Sequence, residues 1–174
     1  MSIDKTIGFL GAGNMAEAMI RGLLRGGDFA IAQIAASGPR EERMRELRDE
    51  YGIYATTDNK VPAASEIVVL SVKPQILSKV LDEVATTISA DALVISIAAG
   101  VPVSAIQGRL AAGTRVVRAM PNTPALVDAA ATAIARGEHA RCLAAVPGEA
   151  RAAPVPCTTR RPRRACRTRR PRAP

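Results

Sequence analysis

Residues 6–25 constrain this chain more than any other stretch. Thr6, Ile7, Gly8, Phe9 and Leu10 form a short, mostly apolar run that stops at glycines, the pattern of a buried strand. Residues 14–25 then have helical spacing, with Met15, Ala18, Met19 and Leu23 expected on one face, and Gly26-Gly27 ends them. Between the two lies Gly11-Ala12-Gly13-Asn14-Met15-Ala16, a match to G-x-G-x-x-G/A. A lone match of this kind is weak, but here a strand precedes it and a helix follows, the context that gives it meaning. Gly11 allows the tight turn, Gly13 lets backbone approach a pyrophosphate, and Ala16 keeps the helix close to the strand. A pyrophosphate there meets free N–H groups and the positive end of the helix dipole. The plain alternative is a glycine-rich turn that binds nothing, and the flanking elements argue against it.

The same alternation runs on. A second strand is expected over 31–36, then a charged surface helix over 41–51 with Met44 and Leu47 inward, and a short strand over 53–55. Residues 65–72 contain Ile67-Val68-Val69-Leu70, apolar without alternation, as in a parallel strand covered on both faces. Ile76, Val80, Leu81, Val84 and Ile88 follow at helical spacing. A strand over 93–97, a short helix over 103–110 and a strand over 115–120 complete the series. Strand and helix in turn imply an α/β fold, a Rossmann-type doubly wound parallel sheet with right-handed crossovers. Residues 1–140 are assigned to this nucleotide-binding domain.

After Ala140 the pattern stops. Residues 1–140 carry 14 Lys and Arg against 15 Asp and Glu, while residues 141–174 carry ten Arg and one acid, so the net +8 belongs entirely to the tail. That tail holds six prolines and very few large apolar residues, which leads us to expect a disordered basic segment over 141–174. Its enrichment in Arg, Pro, Ala and Cys is also what a GC-rich gene gives when read in the wrong frame. Cys142, Cys157 and Cys166 all lie there and form no disulfide framework and no metal-ligand spacing, so no metal is expected. Charged residues and glycines interrupt the N-terminus where a secretory signal needs an apolar run, and no apolar run is long enough to span a membrane. The default reading is a soluble cytoplasmic protein.

The end of the second strand bears on cofactor choice. An NAD site usually places an acid there, whereas this chain has Ser37-Gly38-Pro39-Arg40, with Arg43 one turn on. A hydroxyl and a guanidinium suit a 2′-phosphate, so the reading favours NADP, with NAD still open. Alternatively, Arg40 and Arg43 are solvated helix charges neutralised by Glu41 and Glu42. Ser71-Val72-Lys73-Pro74 puts Lys73 at the carboxyl end of a strand, where ligands bind in open α/β sheets, although a lone lysine before a helix is often plain surface. Ala98-Ala99-Gly100 can offer bare backbone to a nicotinamide ring. Met120-Pro121-Asn122-Thr123-Pro124 is expected to follow the last strand, and its Asn122 and Thr123 can supply directed hydrogen bonds, although either loop by itself is more often structural than catalytic.

Taken in order, these segments resemble pyrroline-5-carboxylate reductase. The resemblance rests on residues 7–15, Asp58-Asn59, Val72-Lys73-Pro74-Gln75, Ser96-Ile97-Ala98-Ala99-Gly100-Val101 and Arg118-Ala119-Met120-Pro121-Asn122-Thr123-Pro124, in register across residues 5–140. It implies NAD(P)H-dependent reduction of the cyclic imine Δ1-pyrroline-5-carboxylate to L-proline. By resemblance, Leu10, Gly11, Ala12, Gly13, Asn14 and Met15 bind the pyrophosphate. Ser37, Gly38, Arg40 and Asn59 lie near the adenosine ribose. Ser71, Val72, Lys73, Pro74, Ala98, Ala99 and Gly100 line the nicotinamide side, and Lys73, Asn122 and Thr123 border the catalytic cleft. The family also has a second, helical domain that builds the dimer and supplies a loop for the substrate carboxylate. The resemblance ends at Ala140, so a chain with little activity and no dimerisation domain is expected. Asp128 stands where the family has Gly, and His139 reads as a surface residue. A competing expectation is a nucleotide-binding module whose Arg-rich tail binds nucleic acid through phosphates. The lack of an aromatic for base stacking in that tail weighs against it.

Overall fold

The computed structural model describes residues 3–121 and 132–140. Expectations that concern Asn122, Thr123, Asp128 and the basic segment 141–174 lie outside the described residues.

The chain runs β1 (Ile7–Leu10), α1 (Asn14–Gly26), a 3₁₀ turn (Ile31–Gln33), β2 (Ile34–Ser37), α2 (Glu41–Tyr51) and β3 (Tyr54–Thr56). It continues through α3 (Lys60–Ala63), β4 (Ile67–Leu70), α4 (Pro74–Val84), β5 (Leu93–Ser96), α5 (Val103–Gln107), β6 (Arg115–Pro121) and β7 (Thr132–Arg136). The sheet order is β3-β2-β1-β4-β5-β6-β7. Six strands are parallel, and β7 pairs antiparallel with β6. This is the doubly wound arrangement expected, with one correction: the sheet is not wholly parallel. The link 122–131 is shorter than the roughly one dozen residues a parallel crossover takes, so the chain returns antiparallel.

Alternate residues of one strand enter opposite cores, as a sheet covered on both faces requires. Ile7 and Phe9 of β1 and Val69 of β4 pack with Ala16, Ile20, Met44 and Leu47 beneath α1 and α2. Leu10, Val68 and Leu70 pack instead with Leu77, Leu81, Val84 and Ile106 beneath α4 and α5.

Four further details differ from expectation. On α1 the fully buried residues are Ala16 and Ile20, with Met15 only half-buried. The small Ala16 draws the helix close to the sheet and leaves the long Met15 at the rim. On α4, Ile76 is exposed and Leu77 takes the inward place, in step with Val80, Leu81 and Val84. Residues 31–33 are not strand. The Gln33 side chain accepts the Ala30 N–H at 2.7 Å and donates to the Ile3 carbonyl at 2.9 Å, which winds this segment into a 3₁₀ turn. The strand expected over 115–120 runs one residue further, through Pro121, and it is not the last strand. Among the described residues no helix is long and apolar enough to cross a membrane.

Candidate functional site

The order of the sheet reverses between β1 and β4, and in open α/β sheets the ligand crevice forms at the carboxyl ends of the strands at such a reversal. Three loops leave the sheet at these ends: residues 11–13 after β1, 71–73 after β4 and 97–102 after β5. They bring together the glycine motif, Lys73 and Ala98-Ala99-Gly100, segments that are far apart in sequence.

The glycine loop has a defined internal geometry. Gly11 sits at φ +103°, and its N–H donates to the Ser37 carbonyl at 3.0 Å. A Cβ on Gly11 would lie 2.9 Å from the Ser71 backbone and from the Val72 side chain. Glycine is therefore demanded here twice, by conformation and by contact. At Gly13 the situation is the opposite. Its φ of −79° suits any residue, and an added Cβ would meet no protein atom within 4 Å. Gly13 is the N-cap of α1 and has no side chain to cap it. Among the described residues, the N–H groups of Ala12, Gly13 and Asn14 make no backbone hydrogen bond. The positive end of a 13-residue helix thus stands uncapped beside open space.

The side chains expected at the ribose are placed less simply. Ser37 is fully buried at the end of β2, where its hydroxyl donates to Asn59 Oδ1 at 2.8 Å. Asn59 in turn donates to Glu83 at 3.1 Å. Ser37 therefore orients Asn59. Gly38 is buried; its N–H donates to the Thr56 carbonyl at 3.2 Å, and an added Cβ would crowd Met44 and Ala12 at 3.1 and 3.4 Å. Arg40 is exposed at the N-cap of α2, and its side chain has no hydrogen bond or ion pair among the described residues. Arg43 differs sharply. It is paired with Glu17 and, at 2.8 Å, with Glu46, and its Nε donates to the Ala12 carbonyl at 3.2 Å. Its charge is already balanced by two carboxylates, unlike that of Arg40.

Burial works to raise the pKa of Glu17, but hydrogen bonds from Arg43 and from Tyr51, the latter at 3.0 Å, outweigh it together with the charges of Arg43 and Arg21. The carboxylate is held below its usual range. Sequence reasoning missed Glu17 and Tyr51. An acid in the first turn of a helix was visible as a dipole partner, but its pairing with an arginine 26 residues away was not.

On the other side of the crevice, Ser71 Oγ lies 3.0 Å from the Leu10 carbonyl and 2.7 Å from that of Gly11. Its hydroxyl serves the glycine loop. Val72 is half-buried, while Lys73 and Pro74 are exposed where α4 begins, with Lys73 extended at φ −63°, ψ 144°. Ala98 is buried, and Ala99 and Gly100 are exposed. A cavity of about 290 Å³ opens at the amino ends of the strands, among Thr6, Gln33, Ile34, Tyr54, Val61 and Ser65. It lies at the opposite end of the sheet from the glycine loop, and none of the residues expected to hold ligand lines it.

Residues 6–100 match the family model described as NADP oxidoreductase coenzyme F420-dependent. The chain is 45% identical over 138 residues to a pyrroline-5-carboxylate reductase of Methanosarcina acetivorans, covering 79% of this chain and 51% of the relative. The structure of a pyrroline-5-carboxylate reductase from Coxiella burnetii superposes with a TM-score of 0.77 at 34% identity, over 80% of this chain and 52% of that one. The Plasmodium falciparum pyrroline carboxylate reductase, solved with NADP bound, shares the fold with a TM-score of 0.71 at 22% identity, over 82% of this chain and 52% of that one. The chain spans about half the length of the curated relatives it matches.

Proposed function

The chain belongs to the family of NADP oxidoreductases described as coenzyme F420-dependent, and from that premise we propose that it is the nucleotide-binding half of a pyrroline-5-carboxylate reductase. In this reading it holds NADPH in the crevice between β1 and β4 and presents the nicotinamide for hydride transfer to the C=N carbon of Δ1-pyrroline-5-carboxylate, giving L-proline. The observation that carries it is the uncapped start of α1, where the N–H groups of residues 12–14 make no backbone hydrogen bond and a Cβ on Gly13 would meet no protein atom within 4 Å. That is the environment a pyrophosphate needs. The cofactor supplies the hydride chemistry, and the protein orients it. Lys73, exposed at the start of α4, is the candidate to meet the imine or its carboxylate, with Asn122 and Thr123 proposed to border the same cleft. Ala98, Ala99 and Gly100 offer a flat backbone wall to the ring. Exposed Arg40 supports NADP over NAD, since its charge remains available to a 2′-phosphate.

The test uses Gly13→Val. Ordinary φ and empty surroundings mean that the fold tolerates the valine, while its branches occupy the space assigned to the pyrophosphate. Calorimetric titration with NADPH is expected to show binding to the wild-type chain and none to the variant, at an unchanged melting temperature. A variant that binds NADPH as the wild type does overturns the assignment.

A further inference from the structure

We propose that Arg43 is a positioning residue for the dinucleotide: it does not touch the ligand but fixes the peptide plane that aims the Gly13 N–H at the pyrophosphate. This rests on the nucleotide reading above and adds to it a residue that orients the loop from outside.

The argument begins with the geometry of a peptide unit. In a trans peptide the carbonyl of one residue and the N–H of the next point in opposite directions. No described peptide bond is cis. Fixing the Ala12 carbonyl therefore fixes the Gly13 N–H in the reverse sense. The Ala12 carbonyl accepts from Arg43 Nε at 3.2 Å. The Gly13 N–H consequently points away from α2. One residue earlier the same logic holds from the other wall: the Gly11 carbonyl accepts from Ser71 Oγ at 2.7 Å, which sends the Ala12 N–H away from the loop after β4. Two successive N–H groups are thus left free and set by side chains behind them.

A glycine loop is the part of the chain least able to hold such an orientation alone, because glycine gains the most conformational freedom when released. Arg43 suits the task because it is itself immobilised. Its fork is engaged at three nitrogens: Nε on Ala12, one amino group on Glu46 at 2.8 Å and the other on Glu17. Its side chain is only 18% exposed, and Tyr51 holds the far oxygen of Glu17. Glu17 lies on α1 and Arg43 on α2, so the clamp also fixes the helix whose dipole the ligand uses. Lysine, with one nitrogen on a flexible stem, cannot make this three-way contact.

The experiment compares three ligands on the full chain: NADPH, NADH and adenosine 2′-monophosphate, which carries the 2′-phosphate but no pyrophosphate. Arg43→Gln is expected to weaken NADPH and NADH by the same factor, about tenfold, and to leave adenosine 2′-monophosphate unchanged. A selective loss of NADPH together with adenosine 2′-monophosphate would mean that Arg43 reads the 2′-phosphate directly, and overturns the proposal. So does a parallel loss of all three ligands with a falling melting temperature, which marks a merely structural role, and so do unchanged affinities. Should Arg43→Gln not fold, Glu17→Gln frees one arm of the clamp, and its expected signature is the same at smaller amplitude. If the wild-type chain binds neither dinucleotide, the nucleotide reading itself falls; if it binds them and the variants break the expected pattern, only the role of Arg43 falls.

Discussion

Arg40 and Arg43 stand one turn apart at the start of α2 and are in opposite electrostatic states. Arg43 faces two carboxylates and a carbonyl, whereas the Arg40 side chain has no such partner among the described residues. An added phosphate gains little from a guanidinium already compensated, and more from one that water alone surrounds. Arg40→Asp is therefore expected to weaken NADPH by about tenfold or more while leaving NADH nearly unchanged, as read by paired titrations. Equal losses for both cofactors would remove Arg40 from the 2′-phosphate site. Glu17 carries a pH signature. Its folded pKa is lowered from 4.5, so its stabilising contribution is complete above that value and is lost as the pH falls through the folded one. The groups facing it are Arg43, Arg21 and Tyr51, with Glu46 and Glu50 behind them. Melting temperatures of the wild type should drop more steeply than those of Glu17→Gln as the pH falls below about 4.5. Parallel curves would show that the ion pair adds nothing. At this scale the sequence was legible where backbone alone decides, as at Gly11, and illegible where a side chain's partner decides. Ser37 and Arg43 suit a phosphate by type; that Ser37 is buried and Arg43 ion-paired are products of the tertiary fold, which their types do not announce.

Glycines show the same division among the elements. Gly8 lies within β1, and an added Cβ would sit 1.9 Å from the Pro62 carbonyl oxygen. The short helix α3 packs on the strand through backbone, which only glycine permits. Gly22 lies within α1, and a Cβ there would meet nothing within 4 Å. Opposite signs follow. Gly8→Ala is expected to destabilise the chain by about 1–3 kcal/mol or more through overpacking, and Gly22→Ala to stabilise it by roughly 0.5–1 kcal/mol through helix propensity. Urea denaturation decides both, and a stabilised Gly8→Ala would mean that α3 does not rest on β1. The glycine inside an apolar run was a sign of close backbone approach, yet α3 went unread because four residues show no periodicity. β7 was missed for another reason: every one of its residues is exposed, so it lacks the apolar alternation that marks a half-buried strand. The elements read correctly are those that burial marks in the sequence: an unbroken apolar run in β1 and β4, and a helical period in α2 and α4.

At the scale of the whole molecule, the match covers 51% of the Methanosarcina relative, and under the proposed function the described residues supply the cofactor side of the reaction. In that proposal a glycine loop, an uncapped helix start and the backbone of residues 98–100 make the cofactor side. The acceptor side needs donors for the carboxylate of the imine and a cover that excludes water, and the resemblance assigns these to a second domain. Where such groups are lacking, an imine stands at no fixed distance from the nicotinamide. Loss of such positioning forfeits several kcal/mol of barrier reduction, roughly 7–11 at the upper limit, and half that loss already slows turnover by more than about a hundredfold. The 174-residue chain is thus expected to bind NADPH yet oxidise it with pyrroline-5-carboxylate at less than about one hundredth of the rate of an intact reductase. Apolar side chains left bare at the β6–β7 edge, with Ile134 at 69% and Met120 at 36% exposure, favour self-association of the isolated chain. The assay follows NADPH absorbance in the presence of the imine, with light scattering recorded on the same samples. Turnover within tenfold of the intact enzyme would show that these residues, alone or as an assembly, complete the acceptor side themselves.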